Sequence, residues 1–267
     1  MSQLRIIVWG SGNMAQKHVS SAIADGRCKL VGIAARNTAA AETMKAEFAA
    51  DSCMITSDPL TLADALDFDA VICAIPPGLQ DGQAAALAAR GKHLFLEKPV
   101  ALQLAAVQAI ADAAAAQQIQ TQVCHHMRFD PGIAYVKQAL TNGDAGKACL
   151  FESRFWMNGD MSVWWKSKGL GGGQVIEQLI HQYDLARYLF GPVKQLSGFW
   201  SRLVKSDDPS YEVDDNSVCN LQFANGALGH INGSNCATPN RWICDWRMVC
   251  EHLTLEAHHD GHWDTPF

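Results

Sequence analysis

The run Leu4-Arg5-Ile6-Ile7-Val8-Trp9, followed at once by Gly10-Ser11-Gly12-Asn13-Met14-Ala15, decides how the rest of the chain is read. The first six residues are mostly apolar and rich in β-branched side chains, as in a strand buried on both faces of a parallel sheet. The next six form a G-x-G-x-x-A turn that opens a helical segment reaching about Ala24. Gly10 permits the tight turn, Gly12 leaves space for a pyrophosphate, and Ala15 lets helix and strand pack closely. The helix start offers backbone N–H groups and positive dipole to phosphate, so Ser11, Asn13 and Met14 join the glycines as expected nucleotide contacts. A glycine pair alone is a weak signal, but one that follows a buried strand marks a dinucleotide-binding turn.

Working outward, a second strand from about Lys29 to Ala34 should end at the residue that reads the adenosine ribose. An NAD site usually places Asp or Glu there. Here the chain reads Ala35-Arg36-Asn37-Thr38 without an acid, and an arginine can pair with a 2′-phosphate. Arg36 and Asn37 are therefore expected cofactor contacts, with NADP favoured and NAD possible. Asp58-Pro59 reads as a helix cap followed by proline at the first helical position. Phe68 to Ile75 is the next buried strand, stopped by Pro76-Pro77-Gly78, and an alanine-rich helix from about Asp81 to Arg90 ends at Gly91. His93 to Leu96 is a further strand, ending in Glu97-Lys98-Pro99. Alternation at this spacing implies a parallel sheet with right-handed crossovers. Ligands of such sheets sit beyond the carboxyl ends of the strands, where Gly10, Arg36, Ile75, Pro76, Glu97 and Lys98 should gather.

The later half is organised by Gly171 to Asp184, GGGQVIEQLIHQYD. A helix is expected here, with Glu177, His181, Asp184 and Tyr188 on one stripe and Ile176, Leu179, Ile180 and Tyr183 on the next. A loop carrying Trp164-Trp165 precedes it, and aromatic faces beside polar groups suit a sugar ring, so Trp164, Trp165 and Asp184 are candidate substrate contacts, while a tryptophan pair more often serves packing or an interface and can also meet nicotinamide. Lys147 to Met157 reads as a long strand. Val193 to Val204, Asn216 to Phe223, Ala227 to Ser234 and Arg241 to Leu255 read as an antiparallel meander. His252, His258, His259 and His262 read as a solvated polar tail, and no metal is expected.

Composition bounds the function. Of 267 residues, 48% are apolar and 18% charged, as in a soluble globular protein with ample core. A formal charge of −6 disfavours nucleic acid or anionic membrane as partner. Nine scattered cysteines without a C-x-x-C pair read as reduced thiols of a cytoplasmic protein, not a disulfide framework. No apolar run has membrane-spanning length, and a first strand at about Leu4 leaves no room for a signal peptide.

Four motifs in order carry a family resemblance: the G-x-G-x-x-A turn, Glu97-Lys98-Pro99, Arg128-Phe129-Asp130-Pro131, and GGG-x-x-x-E-x-x-x-H-x-x-D. Together they resemble the Gfo/Idh/MocA oxidoreductases. The resemblance implies an α/β fold with a Rossmann dinucleotide-binding domain over 1–123. A second α/β domain over 124–267 would carry an open, mainly antiparallel sheet. It also implies pairing into a homodimer or homotetramer through that sheet, use of NAD or NADP, and a sugar- or polyol-like substrate. The catalytic lysine maps onto Lys98, the helix carboxylate onto Glu177 and the histidine onto His181, while Arg128 falls among the cofactor contacts. Glu177 stands where many members have Asp, Leu179 replaces a frequent glycine, and Gln80 a frequent histidine. Relatives commonly carry a further strand and helix beyond the position of Phe267. The expected reaction is hydride transfer between nicotinamide and a secondary alcohol or ketone, with His181 as base and Lys98 on the same oxygen. Two alternatives share the motifs: glycoside cleavage through transient oxidation, and a dinucleotide-binding regulator without turnover.

Overall fold

The computed structural model describes residues 3–48, 50–159 and 161–262, with side chains as far as 258. It divides into two compact units, 1–124 and 125–267. Among the described residues no helix is long and apolar enough to cross a membrane.

In the first unit strands alternate with helices. The order is β1 (Leu4–Trp9), α1 (Asn13–Ala24), β2 (Cys28–Ala34), α2 (Thr38–Glu47), β3 (Met54–Thr56), α3 (Pro59–Ala65) and β4 (Ala70–Cys73). It continues through α4 (Gln83–Ala89), β5 (His93–Leu96), α5 (Leu104–Gln117) and β6 (Thr121–Val123). The sheet is ordered β3-β2-β1-β4-β5-β6 and every pairing is parallel. The order reverses beside β1, so the turn after β1 lies at the switch point where such sheets bind ligands. Both faces are covered: Ile7, Val71 and Leu94 pack on one side with Leu62 and Leu87, and Ile6, Val8 and Ile33 on the other with Val19 and Met44. Continuous apolar strands are the consequence of that double burial. β4 is shorter than the sequence suggests because Phe68 enters the core ahead of the ladder and Ile75 follows it.

The second unit begins with α6 (Pro131–Asn142) and β7 (Ala148–Asn158), followed by α7 (Val163–Lys166), α8 (Gln174–Glu177) and α9 (Ile180–Phe190). β8 (Val193–Ser201), β9 (Asn216–Phe223), β10 (Leu228–Ser234), β11 (Arg241–Cys250) and β12 (Thr254–His262) complete it. Their sheet runs β12-β11-β7-β10-β9-β8. Burial alternates along β9, β10 and β11, so one face is core. Phe151, Leu221, Phe223, Ile231, Trp246 and Met248 pack there against Leu185, Leu189 and Phe190 of α9 and Ile133 and Val136 of α6.

Three expectations are corrected here. The strands after α9 are not one meander: β8, β9 and β10 are, but β10 then pairs with β7 in parallel, and β11 returns on the far side of β7. The stretch from Arg241 to Leu255 is two strands joined at 251–253, where Cys250 N–H closes the turn onto Leu253 O (2.7 Å). Of the polar histidine tail, His252 lies in that turn and His258 in the edge strand β12 opposite Asp245, its side chain mostly exposed; the side chains of His259 and His262 lie outside the described residues.

Candidate active site

The dinucleotide turn is built as its glycines require. Gly10 has φ +124°, and a Cβ there would stand 2.2 Å from the carbonyl oxygen of Ala74, so neither the backbone nor the space admits another residue. A Cβ at Gly12 would meet nothing within 4 Å, which leaves open space on the side where a pyrophosphate must pass. Ala15, in the first turn of α1, is fully buried. Gly12 caps that helix without a side-chain hydrogen bond, so the first-turn amides and the dipole are available to an anion. Asn13 and Met14 are exposed beside them, and Ser11 is partly so. These residues fit a bound dinucleotide.

At the end of β2 Ala35 is buried while Arg36 and Asn37 are exposed. Asn37 caps α2, its side-chain oxygen accepting from the Ala40 N–H (3.1 Å). Ile75 and Pro76 follow β4, half-buried. Gln80 donates to the sulfur of Cys73 (3.2 Å).

After β5, Glu97 carries more structure than the sequence reveals. Its carboxylate accepts from the Lys98 backbone N–H (3.0 Å) and lies 2.5 Å from His18 Nε2 on α1. Burial alone would raise its pKa, but the contact with His18 and the Lys98 charge hold it below the usual carboxylate value. Burial and then Glu97 push the Cys124 thiol up to about 12. His18 was not singled out in the sequence, and its spacing from the glycine turn carries no signal of a partner 79 residues away. The Lys98–Pro99 peptide is cis.

In the second unit the glycine run serves the backbone rather than a ligand. A Cβ at Gly171 would stand 3.0 Å from the carbonyl oxygens of Trp164 and Trp165, and Gly172 and Gly173 have φ +82° and +94°. The expected single helix is two, α8 and α9, because Leu179 N–H reaches back to Gln174 O (2.9 Å) and opens the turn at 178–179. That break leaves Ile176 42% exposed and Leu179 fully buried, so the predicted apolar stripe is split. Gln174, fully buried, lies within hydrogen-bond distance of Ser217 Oγ (2.9 Å) and Asn235 (2.8 Å).

His181 is buried on α9, with the His126 ring edge-on to it at 4.6 Å. Glu177 ends α8 and accepts from the Trp165 indole N–H (2.7 Å). Trp165 is 4% exposed and packs with Tyr211 and Val213, so its indole holds Glu177, whereas Trp164 is partly exposed beside it. Asp184 is gripped by Arg128 through two hydrogen bonds (2.7 and 2.5 Å), and His125 Nε2 lies 3.6 Å away. The Arg128 guanidinium also lies over Tyr188 at 4.8 Å. Arg128 and Asp184, expected to touch cofactor and substrate, are paired with each other and tie the turn at 126–129 to α9. The contact sets a bidentate ion pair in a partly buried place, which is the strong form of such a pair.

Comparison with known proteins follows the same division. Residues 4–125 match the oxidoreductase family with an NAD-binding Rossmann fold, and residues 133–256 match the GFO/IDH/MocA C-terminal domain. The chain is 27% identical over 234 residues to scyllo-inositol 2-dehydrogenase (NAD(+)) of Bacillus subtilis, covering 87% of this chain and 67% of that one. It is 29% identical to myo-inositol 2-dehydrogenase of Thermotoga maritima over 67% of this chain and 54% of that one. The chain thus spans from about half to two thirds of these relatives' length. The solved structure of a levoglucosan dehydrogenase complex with NADH and L-sorbose shares the fold at TM-score 0.86 and 23% identity, over 100% of this chain and 78% of that one. With both halves matched in order, the chain belongs to the Gfo/Idh/MocA family of oxidoreductases.

Proposed function

We propose that this chain is an NAD(P)-dependent dehydrogenase that moves hydride between nicotinamide and the secondary alcohol or ketone of a sugar, cyclic polyol or related small molecule. The observation that carries this reading is the retention of Lys98 after β5 and His181 on α9, in a chain that also keeps the Gly10–Gly12 turn. A dinucleotide sensor needs the turn but not the acid–base pair.

A bound nicotinamide supplies or accepts the hydride, and the protein must orient the substrate and manage one proton. In the oxidative direction His181 takes the hydroxyl proton, the task for which an imidazole is suited near neutral pH. Lys98 donates a hydrogen bond to the same oxygen and stabilises charge that develops there. Glu177, fixed by Trp165, orients a neighbouring substrate hydroxyl or Lys98 itself. Arg128 and Asp184 hold the surrounding turn rigid. NADP is the favoured nucleotide because Arg36 stands exposed after β2 where an acidic residue would select NAD. Phe199, Val218 and Leu228 lie exposed on the second sheet, which supports assembly of two or four copies through that surface.

The experiment is a fluorescence titration of the eight tryptophans with NAD and NADP, then a screen of inositols, hexoses and keto-sugars with the tighter binder. Formation of reduced cofactor with at least one of them is expected. Tight nucleotide binding with no turnover across the panel would reject the enzyme in favour of a sensor. Release of an aglycone from a glycoside without net cofactor reduction would reject net oxidation.

A further inference from the structure

His18 on α1, Glu97 after β5 and Cys124 after β6 bring an imidazole nitrogen, a carboxylate oxygen and a thiol sulfur within 4.8 Å of one another. Among the described residues this is the one such grouping of three His, Cys or carboxylate side chains. We propose that these three side chains form a site for a borderline-soft divalent cation of the zinc class. The site shares Glu97 with the expected cofactor contacts, and the hydride-transfer reading survives its failure.

The donor set argues for the class of ion. Nitrogen, oxygen and sulfur together suit zinc, whereas magnesium and calcium take oxygen alone. The geometry is close to what the ion needs. Bonds of about 2.0–2.3 Å place tetrahedral ligand atoms roughly 3.3–3.8 Å apart. The His18–Glu97 contact at 2.5 Å must open by about 1 Å, and no spacing, all being within 4.8 Å, need close by more than about 1–1.5 Å. Side-chain rotation must supply both movements while the backbone at Cys124 and Glu97 stays in place. Cys124 N–H is bonded to Leu96 O (2.8 Å), and Glu97 N–H to Cys73 O (2.8 Å). The His18 ring is held by an edge contact with Phe95 at 4.8 Å. The cluster is reachable from solvent, the side chains of His18 and Glu97 being 16% and 11% exposed.

Charge balances as well. On binding, the Cys124 S–H bond breaks, a metal–sulfur bond forms and the proton passes to solvent, with no change of oxidation state. The thiolate and the Glu97 carboxylate then neutralise the divalent ion, and His18 binds through Nε2 with its proton on Nδ1. Three protein donors leave a fourth position for water. No pairwise spacing in the sequence signals the set, since its members lie 79 and 27 residues apart, at 18, 97 and 124.

The test uses the whole chain, stripped with a chelator, held in a phosphine reductant and titrated with Co²⁺ as spectroscopic probe. A sulfur-to-cobalt charge-transfer band that saturates at about one equivalent per chain is expected. It should persist in Cys149→Ser, which removes an exposed thiol, and vanish in Cys124→Ser. His18→Gln should weaken binding by at least about tenfold. X-ray absorption of the zinc-loaded wild type needs no variant, and should show one sulfur among otherwise nitrogen and oxygen neighbours. Absence of the band in the wild type, its survival in Cys124→Ser, or zinc without a sulfur neighbour would each overturn the site.

Discussion

At the scale of single residues, the account rests on a few side chains whose loss has distinct consequences. His181→Ala and Lys98→Ala should each lower turnover by at least about a hundredfold, the usual scale for a proton-transfer group, while nucleotide binding by fluorescence stays near that of the wild type. Near-normal turnover in both purified variants would remove them from the chemistry. Trp165→Phe keeps the packing against Tyr211 but removes the N–H that Glu177 accepts. It should cost about 1–2 kcal/mol in urea unfolding, and an unchanged midpoint would show that the bond is of no consequence. The motifs that carry Lys98, Glu177 and His181 are visible in the sequence, and their proposed roles rest on the family resemblance and the ordinary chemistry of these side chains. The partners that hold them are not visible there. Trp165 and Asp184 read as candidate substrate contacts, and neither the bond of the first to Glu177 nor the pairing of the second with Arg128, 56 residues away, shows in the sequence. Long-range pairing leaves no periodic trace.

At the scale of elements, β1, α1, β2, α4 and β5 could be read almost directly, since the strands are short apolar runs closed by Gly, Pro or polar turns, whereas α2, β3, α5 and β6 were given no bounds from the sequence. The two-part helix α8–α9 could not be read this way. Its polar residues keep a helical period, and only the Leu179 N–H reaching back to Gln174 O shows where the turn opens. The loop after β8 has a similar hidden anchor. Asp215 is fully buried and accepts from the backbone N–H groups of Leu203, Val204 and Lys205 (2.7–3.1 Å), and from the Asn216 side chain. Burial would raise its carboxyl, but these donors hold it below the usual value. A carboxyl so depressed contributes stability that is present above the ordinary carboxylate pKa and lost as pH falls through the folded one. Asp215→Ala should therefore cost roughly 3 kcal/mol near neutral pH, and should flatten the acid limb of a stability profile followed by denaturant midpoint. An acid limb identical to that of the wild type would contradict the anchor.

At the scale of the whole molecule, the two-domain reading rests on the family resemblance, and the chain divides into compact units at 124–125. What the sequence pattern could not supply was the order of the second sheet. The parallel pairing of β7 with β10 joins strands about 80 residues apart, and alternation is the same for either direction of neighbour. Nucleotide choice is also a property of the assembled first unit. Arg36→Ala should weaken NADP by about 10–100-fold, the range for a charged hydrogen bond, and leave NAD within about threefold. Equal loss for both nucleotides would assign Arg36 to adenine rather than phosphate. The most direct measurement is the ratio of reduced cofactor formed to alcohol consumed for the best substrate of the panel. A ratio of about one, abolished in His181→Ala, is predicted by net hydride transfer. Substrate loss with no accumulation of reduced cofactor would contradict it.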